Sequence, residues 1–277
     1  MTDYPKKPHI SASSISTYTK CGLQYMRRYV NKEILPPAVA MLRGTSIHRG
    51  QELNYAQKIE SRVDLPKKEV IDASIARFED GIRAEGLLLN DEERAIGEDK
   101  VVGEAKDLVV TMAMALSDQV MPTVQPVAVE EKQLITMPPD VPDLLGFLDV
   151  IDVDDFIRDL KASSKAKRQA FWDDDVQMTM YSLFYRAKYG KDAKGVIVDQ
   201  VIGLKKGVKY EPVTTTRGDR DYKALLHRIN AVLRGIKAGV FIPAPTGSWY
   251  CGPKWCGYWP TCEMVNGERK AAAEAVS

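Results

Sequence analysis

The sequence predicts an α/β protein that carries a helical insertion, and three observations lead there. From about 66 to 118 the apolar residues keep a helical period, with Val70, Ile71, Ile75, Phe78 and Ile82 on one stripe. Three short runs rich in β-formers follow, "QPVAVEEKQLITM", "LLGFLDVID" and "DFIRDLKAS", with turn residues between them. Helix and strand signals then alternate to about residue 238, the pattern of helices packed on a sheet.

Each element has a local reason. Residues 1–10 read as a loose tail. "SASSISTYTKCGLQYMRRYV" reads as one helix, capped by a serine among Ser11 to Ser13. Pro36-Pro37 breaks the chain, and a second helix is expected from about Gly44 through "IHRGQELNYAQKI". Past the strands, "DDDVQMTMYSLFYRAKYG" reads as a helix from Asp173, with aspartates suiting its N-terminal dipole and Gly190 at its end. "GVIVDQVIGL" and "KGVKYEPVTT" read as neighbouring strands. A last amphipathic helix is expected over 221–238, burying Leu225, Leu226, Ile229, Val232, Leu233 and Ile236.

Composition narrows the class. The chain has 277 residues, 44% hydrophobic and 28% charged, which suits a soluble globular protein with a sizeable core. No apolar run has the length of a membrane span and "MTDYPKKPHI" lacks a signal-peptide core, so the expected compartment is the cytoplasm, with no membrane partner. Disulfides are rare there, and metal ligation is the leading use for clustered cysteines. Net charge is only +1, yet 156–237 hold 18 Lys or Arg against 9 Asp or Glu. A basic half of that size suits a polyanion such as nucleic acid.

"GFLDVIDVDDFIRDLKASS" carries the most chemistry. Asp149 lies near the end of one strand, and Asp159-Leu160-Lys161 lies on the next, beyond a turn at Asp154-Asp155. Residues two apart on a strand face the same way, so Asp159 and Lys161 project together. A hairpin about the turn would bring Asp149 to Asp159. Two carboxylates hold Mg²⁺ or Mn²⁺ through oxygen, the metal activates water for phosphodiester hydrolysis, and a lysine offsets charge on the phosphoryl oxygens. Any single Asp-x-Lys is more often a solvated ion pair, and a single His48 more often structural.

The company these residues keep changes that balance. "GTSIH" (Gly44 to His48), "GFLD" (Gly146 to Asp149), "DLK" (Asp159 to Lys161) and "QMTMY" (Gln177 to Tyr181) occur in this order. Together they resemble the pattern of the PD-(D/E)XK nuclease superfamily, in its RecB-like branch. The serine- and tyrosine-rich opening resembles the start of the same domains, so the similarity runs from about Ser11 to Cys262; 60–120 match no motif. The resemblance implies a restriction-endonuclease-like core with a central mixed sheet flanked by helices. It implies metal ligation by His48, Asp149, Asp159 and the Leu160 carbonyl, and a base or charge stabiliser in Lys161. Gln177 and Tyr181, four apart on one helix face, would hold the site and contact a DNA strand. An acidic residue on the first strand also belongs to the branch; Glu130 and Glu131 both fit it, and the sequence does not choose.

Four cysteines remain: Cys21 ahead of the core, and Cys251, Cys256 and Cys262 after it. Members of this branch with an iron–sulfur cluster, among them CRISPR-associated and AddB-like exonucleases, have this one-plus-three arrangement. The resemblance therefore implies a structural 4Fe–4S cluster that joins the two ends of the chain. The spacings Cys251-x4-Cys256 and Cys256-x5-Cys262 depart from the CxxC common in that trio, and Zn²⁺ is the alternative. Trp249, Trp255, Tyr258 and Trp259 are expected to shield the cluster from water.

The expected organisation is one nuclease domain over 1–277. Its parts are N-terminal helices (11–60), a helical insertion (61–122), a catalytic α/β core (123–240), a cysteine segment (241–263) and a frayed tail (264–277). The expected function is a metal-dependent DNA nuclease, an exonuclease on single strands or ends, standing alone; a phage or CRISPR link rests on analogy. The alternative is a non-catalytic or assembly DNA-binding subunit of a recombination or CRISPR-adaptation complex. A zinc-stapled interaction domain is a third reading.

Overall fold

The computed structural model describes residues 9–245 and 247–264. The first eight residues and 265–277, where the frayed tail was expected, lie outside the described residues. Strand β1 (His9–Ile10) already departs from a loose tail, because it pairs in parallel with the start of β3 (Asp143–Asp152).

The helix expected over the serine-rich opening is broken. Helix α1 (Ala12–Lys20) starts at a Ser11 cap, whose side chain accepts from the Ser14 N–H while Ser14 Oγ accepts from the Ser11 N–H. It ends at Cys21, which is extended at φ −156° and ψ 105°. Helix α2 (Gly22–Tyr25) and a wide π-helical turn (Met26–Val30) follow. Tertiary contact overrides propensity here: the Gly22 N–H donates to the Ile242 carbonyl at 2.6 Å, and a Cβ on Gly22 would sit 2.5 Å from Ile242 N. The break thus sets Cys21 beside the C-terminal segment.

Helix α3 (Val39–Ser61) begins directly after the proline pair rather than at Gly44. The helical stretch from 66 resolves into α4 (Lys67–Glu85), α5 (Asp91–Ile96) and α6 (Glu98–Ala115). On α4 the deepest line is Val70, Ser74, Phe78 and Gly81, with Ile71, Ile75 and Ile82 at its margin.

Strand β2 (Pro126–Ile135) pairs antiparallel with β3 along one edge. Strand β4 (Phe156–Ser163) pairs antiparallel with β3 and parallel with β5 (Gly195–Gly203), which pairs with β6 (Val208–Thr215). The result is a mixed α/β fold with a central sheet flanked by helices, the restriction-endonuclease-like arrangement. Between β4 and β5 run α7 (Gln169–Asp173) and α8 (Val176–Tyr189), the latter starting three residues later than expected because Asp175 is its cap. Helix α9 (Asp219–Lys237) closes the core with Tyr222, Leu225, Ile229 and Val232 buried; Leu226, expected inside, is 37% exposed.

Packing uses both faces of the sheet. One face buries Leu148, Ile157, Val196 and Val198 against α1, α8 and α9. The other buries Val150, Leu160 and Val201 against α3 and α6. A third cluster, including Leu42, Phe78 and Val109, fastens α3, α4 and α6 together.

Candidate active site

The β3–β4 hairpin forms as expected, but its ladder is short. Val150 pairs with Arg158 and Ile151 with Ile157, so the next register step would set Asp149 opposite Asp159. The strands part at that step. The Asp149 carboxylate instead accepts from the Leu160 N–H at 3.4 Å, and its Oδ2 lies 3.3 Å from His48 Nδ1 on α3. Because β2 fills the other edge of β3, β1 and β4 must share one edge, with 145–149 unpaired between them.

On β4, Asp159 is fully buried and Lys161 Nζ lies 2.8 Å from its Oδ2. Nζ donates to Oδ1 at 3.0 Å, and Oδ2 is a buried carboxylate oxygen with the ammonium as its ion-pair partner but no hydrogen bond. Nζ also donates to Gln177 Oε1 at 3.1 Å. Gln177 Nε2 in turn donates to Tyr181 OH at 2.6 Å and reaches Asp159 Oδ1 at 3.3 Å. The one-turn spacing of Gln177 and Tyr181 on α8 makes that bridge possible. Asp175 fixes the start of the helix by accepting from the Gln177 and Met178 N–H groups.

Glu130 completes the acidic group and decides between the two glutamates. His48, Glu130 and Asp149 each offer a donor atom, all within 4.8 Å of one another. Glu130 stands at φ +47° in the middle of β2, and the ladder skips it between Val129↔Val150 and Glu131↔Leu148. A non-glycine residue in this region is strained, and strain of this kind collects at functional sites. Glu131 is engaged elsewhere, in an ion pair with Lys188.

Burial is the largest influence on every shifted group of the cluster, with the charges of its neighbours second. Burial, opposed by Lys161 and reinforced by Asp149, pushes the Asp159 carboxyl above its ordinary value. Burial pulls Lys161 down, but Asp159 and Asp149 outweigh it, and the ammonium is held above its ordinary value. The two shifts look opposed for an ion pair, yet both mean that the group takes up protons. Although Glu130 is exposed on the surface, desolvation by the surrounding chain, then Asp149 and Glu52, push it up to about 7. Burial pulls His48 below the usual imidazole value against the attraction of Asp149, and the Leu160 backbone bonds to its ring. Tyr181 is held well above its usual range, first by burial and then by Asp149 and Asp159.

Two openings meet at these groups. A cavity of about 530 Å³ reaches Asp149, Lys161, Gln177 and Tyr181 from the side of α1 and α7. A second, of about 400 Å³, reaches Asp149, Lys161 and Gln177 past His48 and Glu130 from α3 and α4.

Away from this site stand the four cysteines. All are half-buried, and none is in a disulfide. Burial pushes the Cys256 thiol up, and Cys21, Cys251 and Cys262 add to the shift through their charge. The tryptophan shield is not found as expected: Trp249 and Trp255 are 69% and 59% exposed and pack edge-to-face on each other. Tyr258 is buried, its hydroxyl donating to the Glu33 carbonyl at 2.5 Å and its ring facing Arg27.

A family model, the PD-(D/E)XK nuclease superfamily, matches residues 9–263. The chain belongs to this superfamily. No curated protein matches it. Among solved structures, a crystal structure of a "Putative exonuclease" from Eubacterium rectale superposes with a TM-score of 0.54 at 13% identity, covering 96% of this chain and 91% of that one. That likeness shows the superfamily fold alone. The crystal structure of SSO0001 aligns with a TM-score of 0.34 at 14% identity over 78% of this chain and 96% of that one.

Within the superfamily frame, His48, Asp149, Asp159, Lys161, Gln177 and Tyr181 form one contiguous site, and Cys21, Cys251 and Cys262 are near enough to Cys256 to raise its thiol. Sequence reasoning left Glu130 undecided and did not find Asp175. Strand alternation puts Glu130 and Glu131 on opposite faces but cannot say which face is catalytic. Asp175 was one of three successive aspartates, and the cap rule alone does not select among them.

Proposed function

We propose that this protein is a divalent-metal-dependent DNA nuclease, an exonuclease acting on single strands or DNA ends. The observation that carries the reading is the paired set itself: a fully buried Asp159 bridged to Lys161, beside the His48–Glu130–Asp149 donor group. The donors fit Mg²⁺ or Mn²⁺, being hard oxygens plus one imidazole held neutral, with one buried carboxylate oxygen lacking a hydrogen bond. Asp149, Asp159, His48, Glu130 and the Leu160 carbonyl would hold the ion, which supplies an activated water and polarises the phosphate. Lys161, held charged, orients that water and offsets charge on the phosphoryl oxygens, a stabilising role rather than that of a resting base. Gln177 fixes the ammonium and Tyr181 fixes Gln177.

The four thiols fit a 4Fe–4S cluster, which the branch resemblance favours, with Zn²⁺ the alternative. Iron, sulfide and zinc quantitation on anaerobically purified protein decides the metal. The cluster's role is to tie the C-terminal segment to Cys21. The whole chain is read as one nuclease domain, and recombination or CRISPR proteins are its candidate partners. No helix among the described residues is long and apolar enough to cross a membrane, and the cytoplasm is the proposed compartment.

The purified protein should shorten end-labelled single-stranded DNA in Mg²⁺ or Mn²⁺ and stop in EDTA. Binding without cleavage under both metals would favour the assembly-subunit reading instead.

A further inference from the structure

The larger cavity holds more than the catalytic groups. Its wall includes Ser13, Ser16 and Lys20 of α1 and Lys167, Phe171 and Trp172 on and before α7. Leu145 to Phe147 also line it, from the stretch of β3 left unpaired where β1 and β4 part company. An open strand edge presents backbone donors and acceptors that call for a partner.

The rings of this wall pack on each other, Phe171 edge-to-face on Trp172 at 4.9 Å, and its cations lack acidic partners among the described residues. Lys20 and Lys167 have no ion-pair partner among the described residues, while Lys161 is committed to Asp159. Burial, then repulsion from Lys20, pulls Lys167 below its ordinary value, so the two ammonium groups share one neighbourhood. Lys167 Nζ rests 3.6 Å from the centre of the Phe171 ring, a weak cation–π seat that an anion would displace. Phe171 and Phe147 are 43% and 45% exposed although both line the cavity, and Trp172 Nε1 is buried without a hydrogen-bond acceptor.

We infer that this wall is a subsite for one unpaired nucleotide next to the scissile phosphate, with Lys20 and Lys167 holding its phosphate and Phe171 stacking its base. The inference rests on the nuclease reading for the identity of the strand. A base can lie against Phe171 only when it has left its partner and its stack, and stacking on an aromatic ring accepts any base. The cavity leads directly to Asp149 and Lys161, so the seated nucleotide adjoins the bond to be cut. The subsite therefore selects single strands or frayed ends over intact duplex without reading sequence.

The test uses the full chain with single-stranded oligonucleotides carrying 2-aminopurine at successive positions, in Ca²⁺ to allow binding. The subsite predicts fluorescence quenching at one position and its loss in Phe171→Ala, with recovery in Phe171→Tyr. Affinity should fall about 5- to 150-fold in Phe171→Ala, the range of one stacked base. Lys167→Ala should weaken binding and flatten its dependence on salt. Quenching that is uniform along the strand, or unchanged in folded Phe171→Ala and Lys167→Ala, overturns the subsite even if Mg²⁺ cleavage persists. Position-specific quenching in Ca²⁺ with no cleavage in either Mg²⁺ or Mn²⁺ upholds the subsite and overturns the nuclease reading.

Discussion

Glu130 shows how much one residue's backbone can decide. Its strained φ and its place opposite Asp149 turn a surface glutamate into part of an acidic group that takes up a proton near neutrality. A divalent ion needs that carboxyl ionised, so Mn²⁺ affinity should rise with pH up to about 7 and then level. In metal-free protein the sign is opposite for stability. The folded state holds a proton that the unfolded chain has lost, so stability falls as pH rises from the ordinary glutamate range through about 7. Glu130→Gln should weaken metal binding and reduce the pH dependence of both profiles, the remainder belonging to Asp159, as calorimetric titration and thermal melts across pH would read. Unchanged profiles would remove Glu130 from the site. Sequence could name this residue only as one of a pair, because periodicity gives alternation and not the residue at which a strand is strained.

Among the elements, the packing of α8 on β3 sets the site's geometry. A Cβ at Gly146 would sit 2.5 Å from Phe184 Cε2, so Gly146→Ala should cost about 1–3 kcal/mol through overpacking. Because α8 carries Gln177 and Tyr181, activity should fall along with the melting temperature. The glycine of "GFLD" thus has a packing reason beside its motif. The strand segments, the β3–β4 hairpin and the shared face of Asp159 and Lys161 were legible, since alternation and turn residues encode them locally, whereas the parallel pairing of β4 with β5 was not. The break at Cys21 was not, because it depends on a bond from Gly22 to Ile242, more than 200 residues away. Nor was β1, whose two residues carry no period and gain their place from the edge of β3. Gly22→Ala, where backbone atoms of Phe241 and Ile242 block a Cβ, should lower bound metal at the cysteines and the melting temperature together.

At the scale of the whole molecule, two sites divide the work. In the proposed reading a metal held by the cysteines ties Cys21 to the C-terminal segment, and the carboxylate cluster lies where two cavities meet between the sheet and its helices. Cys256→Ser should therefore lose cluster metal and stability first, while any protein that remains folded keeps its Mn²⁺ site. The four-motif order made the candidate site residues readable as a set, because the fold brings the α3, β3, β4 and α8 positions that carry them to one place. The cavity wall at Lys167 and Phe171 was not readable, since no local pattern distinguishes it from loop and helix surface. The most direct test of the account is cleavage of an end-labelled single strand in Mg²⁺ by wild type, Asp159→Ala and Lys161→Ala, each checked for fold by circular dichroism. The account predicts cleavage by wild type and a loss of at least about 100-fold in both folded variants. Activity retained in both would contradict it.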